Sequence, residues 1–506
     1  MTTLSSFKSL IGKLKREELK SLLKFLRYYQ DSGDDSKGKS IQLVEAVISD
    51  PLCSVKDLQF ELYGKENYHA FNKLLNRTKD KVYEVLLFDQ NLSKPYYSER
   101  NRIVFDIRKK LVQSEILHLR GINDELESFQ NKIISKAKEY EIYDSLIEAL
   151  QAKQRFMVLK GGKKIVEKVN SEIEKFEKSR IKVQRARKIW TRIGAIINQS
   201  SSPSDYINEL KDEKQIVKQD FEETNSAIIG FIYFMMEVEW NHVNQKYKEA
   251  EIILYRLLEL ILNSVSIYTR TRHGEVLMNI ANNEILLNDF SAAVENSKLA
   301  QSYFDYKSIN YDISRELEFF SRFYNGEITE SKKIIEEIYH SSRSSNTPFL
   351  FSKRAYLFAC LCTINGNITM SNKLLLEVKE IEKDKEGWNL GKRILTIINK
   401  IEAQDFESVD LKVLSLEKFI KRILKFRHVR KRDVIILRIL IKLINENFDF
   451  EKVYHQRKKY FDLLEGQNPE YAWKIKSPEL IIFHDWFKKK LPENANKKKL
   501  NLISSH

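Results

Sequence analysis

Residues 277–304 read LMNIANNEILLNDFSAAVENSKLAQSYF. Amphipathic helical text lies on both sides of a short polar turn, Asn288-Asp289. An aromatic residue, Phe290, follows the turn, and a small one, Ala293, comes three positions later. This order predicts a helical hairpin. The turn pair ends one helix and begins the next, the large residue plugs the corner, and the small residue lets two antiparallel helices approach closely.

The same six-residue pattern recurs without gaps. It stands as QKYKEA (245–250), NDFSAA (288–293), GEITES (326–331), GNITMS (366–371), QDFESV (404–409) and FDFEKV (448–453). Its third residue is Tyr247, Phe290, Ile328, Ile368, Phe406 or Phe450. Its sixth is Ala250, Ala293, Ser331, Ser371, Val409 or Val453, at intervals of 43, 38, 40, 38 and 44 residues. One such hairpin cannot bury its own apolar face, but a stack of them can. The expected fold is all-α, an α-solenoid of antiparallel helix pairs with a helical N-terminal domain.

This arrangement resembles the tetratricopeptide repeat family over roughly residues 226–465. Ala281 stands at the family's small position in the first helix, Asn288, Asp289 and Phe290 at its turn, and Ala293 and Ala300 at small positions in the second helix. The pair near 366 keeps Ala359 and Gly366. Phe319 replaces the small residue in the pair near 326, and Glu239 does so in the first pair. The period exceeds the family's usual 34 residues by several, which implies longer helices or a divergent relative.

In such relatives the first helices line a groove that holds a protein or peptide partner. The resemblance therefore places Glu275, Met278, Asn279 and Asn282 on that face, followed by Glu316 and Phe320, then Lys353, Tyr356 and Cys360. Asn279 matches the position that contacts peptide backbone. Met278, Phe320 and Tyr356 have a plainer alternative as core residues. The two asparagines suit it less, because buried amides need partners.

Composition agrees with helices throughout. Glycine contributes 15 and proline 7 of 506 residues. That is too few for a sandwich built on frequent turns, and it weakens a doubly wound α/β fold. No proline falls between 96 and 202 or between 204 and 347, which fits long helices. The expected organisation is a helical N-terminal domain (1–115), a long-helix connecting bundle (116–222), the repeat array (223–466), and a C-terminal helix with a basic tail (467–506). Within the first part, Ser54 and Asp57 form a capping signal for a short helix that Gly64 would end.

The chain carries 86 Lys and Arg against 71 Asp and Glu, a net charge of +15. This balance permits nucleic acid, an anionic surface or an acidic protein. Basic clusters occur at 178–192, at 421–432 and in the tail at Lys488–Lys490 and Lys497–Lys499. The short helix, glycine turn and longer helix at 51–90 have the outline of a helix-turn-helix, although any helical hairpin shares it. Lys73, Arg77, Lys81, Arg422, Lys425, Arg427 and Arg430 are the candidate nucleic-acid contacts.

Catalytic motifs do not stand out. The sequence contains no GxxxxGK[ST], HExxH or GxSxG. Gly161-Gly162 reads as a helix–helix turn. No cofactor or metal is expected, because Cys53, Cys360 and Cys362 complete no zinc pattern and suit inert thiols in a reducing compartment. The longest apolar run, AIIGFIYFMM (227–236), is too short to cross a bilayer. The N-terminus has no signal-peptide pattern. The expectation is therefore a cytoplasmic bacterial protein without membrane insertion. It would be a non-enzymatic scaffold or regulator that binds a protein or peptide partner, or alternatively a nucleic-acid-associated transcriptional regulator. The sequence does not specify an oligomeric state.

Overall fold

A computed structural model describes residues 3–30, 38–87, 99–122, 125–160, 162–199, 205–306, 308–342, 348–381, 384, 387–424 and 430–491. Every regular element among them is a helix. The chain divides into two compact units, Met1–Arg102 and Ile103–His506.

The first unit holds α1 (Thr3–Lys13), α2 (Arg16–Gln30), α3 (Gly38–Ser49), α4 (Val55–Tyr63) and α5 (Tyr68–Leu87). Phe7, Leu22, Leu43, Val44, Leu58 and Leu75 form its core. The capping signal is real. Ser54 accepts the Asp57 N–H at 3.2 Å, and Asp57 accepts the Ser54 N–H at 2.9 Å. Gly64 ends α4 in the left-handed region, where its lack of a Cβ removes the steric cost. Both α4 and α5 rest on α3.

The second unit begins within α6 (Glu99–Leu119), which runs through residue 115. It continues with α7 (Leu126–Glu139), α8 (Tyr143–Lys160), α9 (Gly162–Gln199) and α10 (Ile207–Thr224). The 38-residue α9 buries Val169, Ile173, Val183, Ala186, Ile189 and Ile193 at spacings of three, four and their multiples, the apolar stripe of a long amphipathic helix. Its basic cluster faces acids on α10. Arg185 bonds Asp220, Lys182 bonds Glu223 and Arg192 bonds Glu213. Lys182, Arg185 and Arg192 are therefore neutralised within the fold.

Six helix pairs follow, namely α11 (Ala227–Val243) with α12 (Tyr247–Leu262), α13 (Arg270–Leu286) with α14 (Phe290–Gln301), α15 (Ile309–Tyr324) with α16 (Ile328–Ser342), α17 (Pro348–Ile364) with α18 (Ile368–Glu377), α19 (Trp388–Glu402) with α20 (Phe406–Leu424), and α21 (Lys431–Asn445) with α22 (Phe450–Gln456). In all six the third residue of the repeated pattern is the first residue of the second helix. The sixth pattern residue is almost completely buried each time, at 0% or 1% exposure. The first pattern residue is left-handed each time, with φ of +57° at Gln245, +63° at Asn288, +83° at Gly326, +75° at Gly366, +56° at Gln404 and +63° at Phe448.

One hydrogen bond explains the left-handed residue. Through the first five corners the next N–H reaches back five residues to a helix carbonyl, as in Asp289 to Glu284 and Asp405 to Lys400, both at 2.9 Å. This is the six-to-one closure of a helix C-terminus. The side chain of the same residue then caps the next helix: Asp289, Asn367 and Asp405 accept N–H groups three residues on. At the sixth corner Asp449 does the same, but the closing N–H is that of Phe448 and Asn447 is left-handed as well. That turn holds one extra residue. The large third residue acts in more than one way. Tyr247 meets His242 of its own pair at 6.0 Å, as a corner plug would, whereas Phe290 meets Tyr324 of the next pair at 5.7 Å and Phe406 meets Phe448 of the next pair at 4.3 Å, joining successive hairpins.

The chain then continues through α23 (Lys458–Glu465) and an irregular stretch to α24 (Phe483–Lys488). No helix among the described residues is long and apolar enough to cross a membrane.

Candidate functional site

The first helices of the pairs lie side by side, α13 on α15 and α17 on α19. Glu275, Met278, Asn279 and Asn282 lie at three- and four-residue spacing on α13, so they share one helical face. Each is partly buried. Burial holds the Glu275 carboxyl above its ordinary range, while the Asn310 amide donates to it at 3.3 Å. Met278 packs against two adjoining core clusters, the plainer reading of that residue.

Phe320, Tyr356 and Cys360 are buried in one core cluster. Burial pushes the Cys360 thiol up to about 12. All three cysteines are buried and unpaired. Glu316 is buried as well. Its Oε1 lies 2.5 Å from the Lys353 ammonium, and Arg354 approaches its Oε2 at 3.7 Å. Burial opposes the Glu316 charge, but Lys353, Arg354 and Lys476 outweigh it and hold the pKa below the ordinary range. Glu316 and Lys353 thus neutralise each other rather than standing open to a partner.

Something already lies on this face. Residues 471–482, between α23 and α24, contact the first helices of five pairs. Trp473 meets Tyr324 of α15 edge to face at 5.9 Å. The Lys476 N–H donates to the Tyr324 hydroxyl at 2.8 Å, and the Lys476 ammonium donates to the Asn282 amide oxygen on α13. That ammonium also sits 5.7 Å from the centre of the Phe320 ring. The Tyr356 hydroxyl of α17 donates to the Pro478 carbonyl. Gly391 of α19 makes room for the proline, since a Cβ there would lie 3.0 Å from the Pro478 Cβ. At α21 the buried Arg432 guanidinium binds both Glu479 oxygens, at 2.6 and 2.8 Å, and the carbonyls of Leu464 and Tyr471. The stretch is a finger. Its base is held by Arg432 and its tip is Lys476.

The sequence reading assigned 467–506 to a helix and tail, and the finger was missed. Two prolines, 469 and 478, within ten residues of a proline-poor chain, together with the apolar text WKIKSPELI, were the available signal. The Arg432–Glu479 pair had none, since both residue types are ordinary surface residues.

The other candidate contacts are divided between the two units. Lys73 and Arg77 are exposed on α5, whereas Lys81 pairs with Glu84 at 3.0 Å. Arg422 is exposed, its guanidinium 5.1 Å from the Phe419 ring. Arg430 does not form part of an open basic patch. It binds Asp433 at 2.9 and 3.0 Å at the start of α21. Lys425 and Arg427, Gly161, most of the loop at 31–40 and the lysines at 497–499 lie outside the described residues. Among the described residues, no group of acidic, histidine or cysteine side chains is placed to hold a metal.

No family model matches the sequence, and no curated protein does. Among solved structures the chain is similar to the apo form of RapI, with 10% identity and a TM-score of 0.43 over 71% of this chain and 86% of that one. It is also similar to a signal transduction ATPase with numerous domains that carries a tetratricopeptide repeat sensor, from Pyrococcus horikoshii. There the identity is 12% and the TM-score 0.41, over 83% of this chain and 66% of that one. With five corners of one construction and a sixth longer by one residue joining six stacked helix pairs, residues 227–456 of the second unit form a tetratricopeptide-like helical-repeat array.

Proposed function

We propose that this chain is a non-enzymatic binding protein, a scaffold or regulator that holds a protein or peptide partner along its first-helix face. One observation carries the reading: that face already accepts a non-helical peptide segment through side-chain bonds to its backbone, Tyr324 to the Lys476 N–H and Tyr356 to the Pro478 carbonyl. Backbone recognition by fixed side chains is how an extended ligand is held without a sheet edge. The buried free thiols suit a reducing compartment, here the cytoplasm.

The test is capture of partners from the native cell with tagged protein, with and without nuclease. Replacing Asn279 and Asn282 together by alanine is expected to weaken capture of the nuclease-resistant partner at least tenfold while the helical circular-dichroism signal stays. Unchanged capture would remove the face from the reading. A nucleic-acid role is the second reading, favoured by the exposure of Lys73 and Arg77 one turn apart on α5. Binding that falls steeply with salt would support it.

A further inference from the structure

The finger differs between base and tip. At the base, Arg432 is saturated by Glu479, two carbonyls and His484, and the Trp473 indole N–H donates to the Glu479 carbonyl at 2.8 Å. At the tip, saturation fails. Ser477 Oγ is buried without a hydrogen-bond partner, and on the face Glu316 Oε2 has only the Arg354 Nε, 3.7 Å away. Buried polar atoms are paired as a rule, so a permanent plug would be expected to satisfy them. Lys476 is left-handed, at φ +60°, inside a turn that the Ser477 N–H closes onto the Lys474 carbonyl at 3.1 Å. The tip is thus held in place by its tether while fitting the face imperfectly.

What the face reads at the tip is narrow. Two backbone bonds accept any residue. Two side chains are selected: the ammonium of Lys476, placed by Asn282, the Phe320 ring and the nearby Glu316 carboxylate, and the ring of Pro478, seated where Gly391 has no Cβ.

We propose that the finger is a tethered stand-in for a partner, and that the partner is a non-helical peptide that turns at a basic residue two positions before a proline, which enters by displacing the tip. This rests on the reading of the first-helix face given above. Tethering keeps the local concentration of the finger high, so a peptide in solution binds the intact chain only as well as that competition allows.

The test uses the full chain and a fluorescent peptide of its own residues 471–481, YAWKIKSPELI, with binding read by anisotropy. The variant K476A/P478A, which keeps the face and the base, is expected to bind this peptide at least tenfold more tightly than the native chain. Adding N282A should remove most of that gain, and a peptide with alanine at its second lysine and its proline should not bind. A folded K476A/P478A that binds no more tightly, or equal binding of the altered peptide, overturns the proposal. Hydrogen exchange on the unaltered chain provides a check independent of variant folding. Amides 473–477 should exchange at least tenfold faster than those of α15, and equal protection would make the finger a fixed plug. If the Asn279 and Asn282 substitutions abolish partner capture yet the peptide never binds, only this inference fails. If they leave capture unchanged, the first-helix reading fails with it.

Discussion

At the corner between α13 and α14, Asn288, Asp289 and Ala293 set a turn, a cap and a close contact within six residues. At the tip of the finger, Lys476 meets Asn282 across 194 residues of sequence. The same helices build both places. The corner closes on itself with hydrogen bonds to neighbours in sequence, so it repeats five times, and a sixth with one extra residue, despite changes in residue identity. The face is assembled from helices that are neighbours only after stacking, and its occupant comes from a distant part of the chain. Corners of this kind tolerate Gly, Asn or Gln at the left-handed position, because the closing bond comes from the backbone. The face depends on particular side chains.

The comparison can be broken most forcefully at the base of the finger. Replacing Arg432 by alanine leaves Glu479 buried without its cation, and the expected loss is about 3–5 kcal/mol in denaturant unfolding. A loss below about 1 kcal/mol would mean that the base is solvated and that the finger and face are only loosely joined.

A second test concerns a corner with an acid inside it. Burial pushes the Glu284 carboxyl up from an ordinary 4.5 to about 7, although the Asn296 amide donates to it at 2.8 Å. Between those values the folded chain keeps a proton that the unfolded chain releases. The stability contributed by this one group is therefore present at low pH and lost as pH rises from 4.5 to about 7, while His242, His273 and His484, held below their ordinary value by burial, act in the opposite sense below 6.5. The slope is at most about 1.4 kcal/mol per pH unit, the limit for one proton. Glu284→Gln should flatten it, as read from unfolding curves at pH 5 and pH 8. An unchanged slope would show that this corner is open to water.

The smallest effect isolates the backbone. Nothing lies within 4 Å of a Cβ built on Gly366, so Gly366→Ala is expected to cost only the left-handed penalty, about 1 kcal/mol. Gln404→Gly should recover a similar amount at the fifth corner. Thermal unfolding of the two variants would check that the corners share one backbone mechanism. Shifts of the same sign would show that they do not.

Much of this was readable in advance because it is local. The cap at Ser54, the end of α4 at Gly64 and the start of each second helix depend on residues within a turn of one another, and the sequence states them directly. Surface charge was less legible. Arg185 and Arg192 lie in a run that looks basic on α9, yet α10 supplies acids opposite them, and Arg430 is spent on Asp433. A list of cations contains no information about which acid a neighbouring helix will bring. The bond of Tyr356 to a proline more than a hundred residues away was hidden for the same reason.

The sequence by itself determined the helices, their corners and their stacking into repeats. Helix spacing, left-handed turn residues and small contact residues act over a few positions, and six copies make the pattern unmistakable. Only the tertiary structure decided that the first-helix face is occupied, by what, and through which groups. That outcome depends on which first helices come to lie side by side and on where the chain after α23 turns back, and neither is encoded in any one stretch of residues.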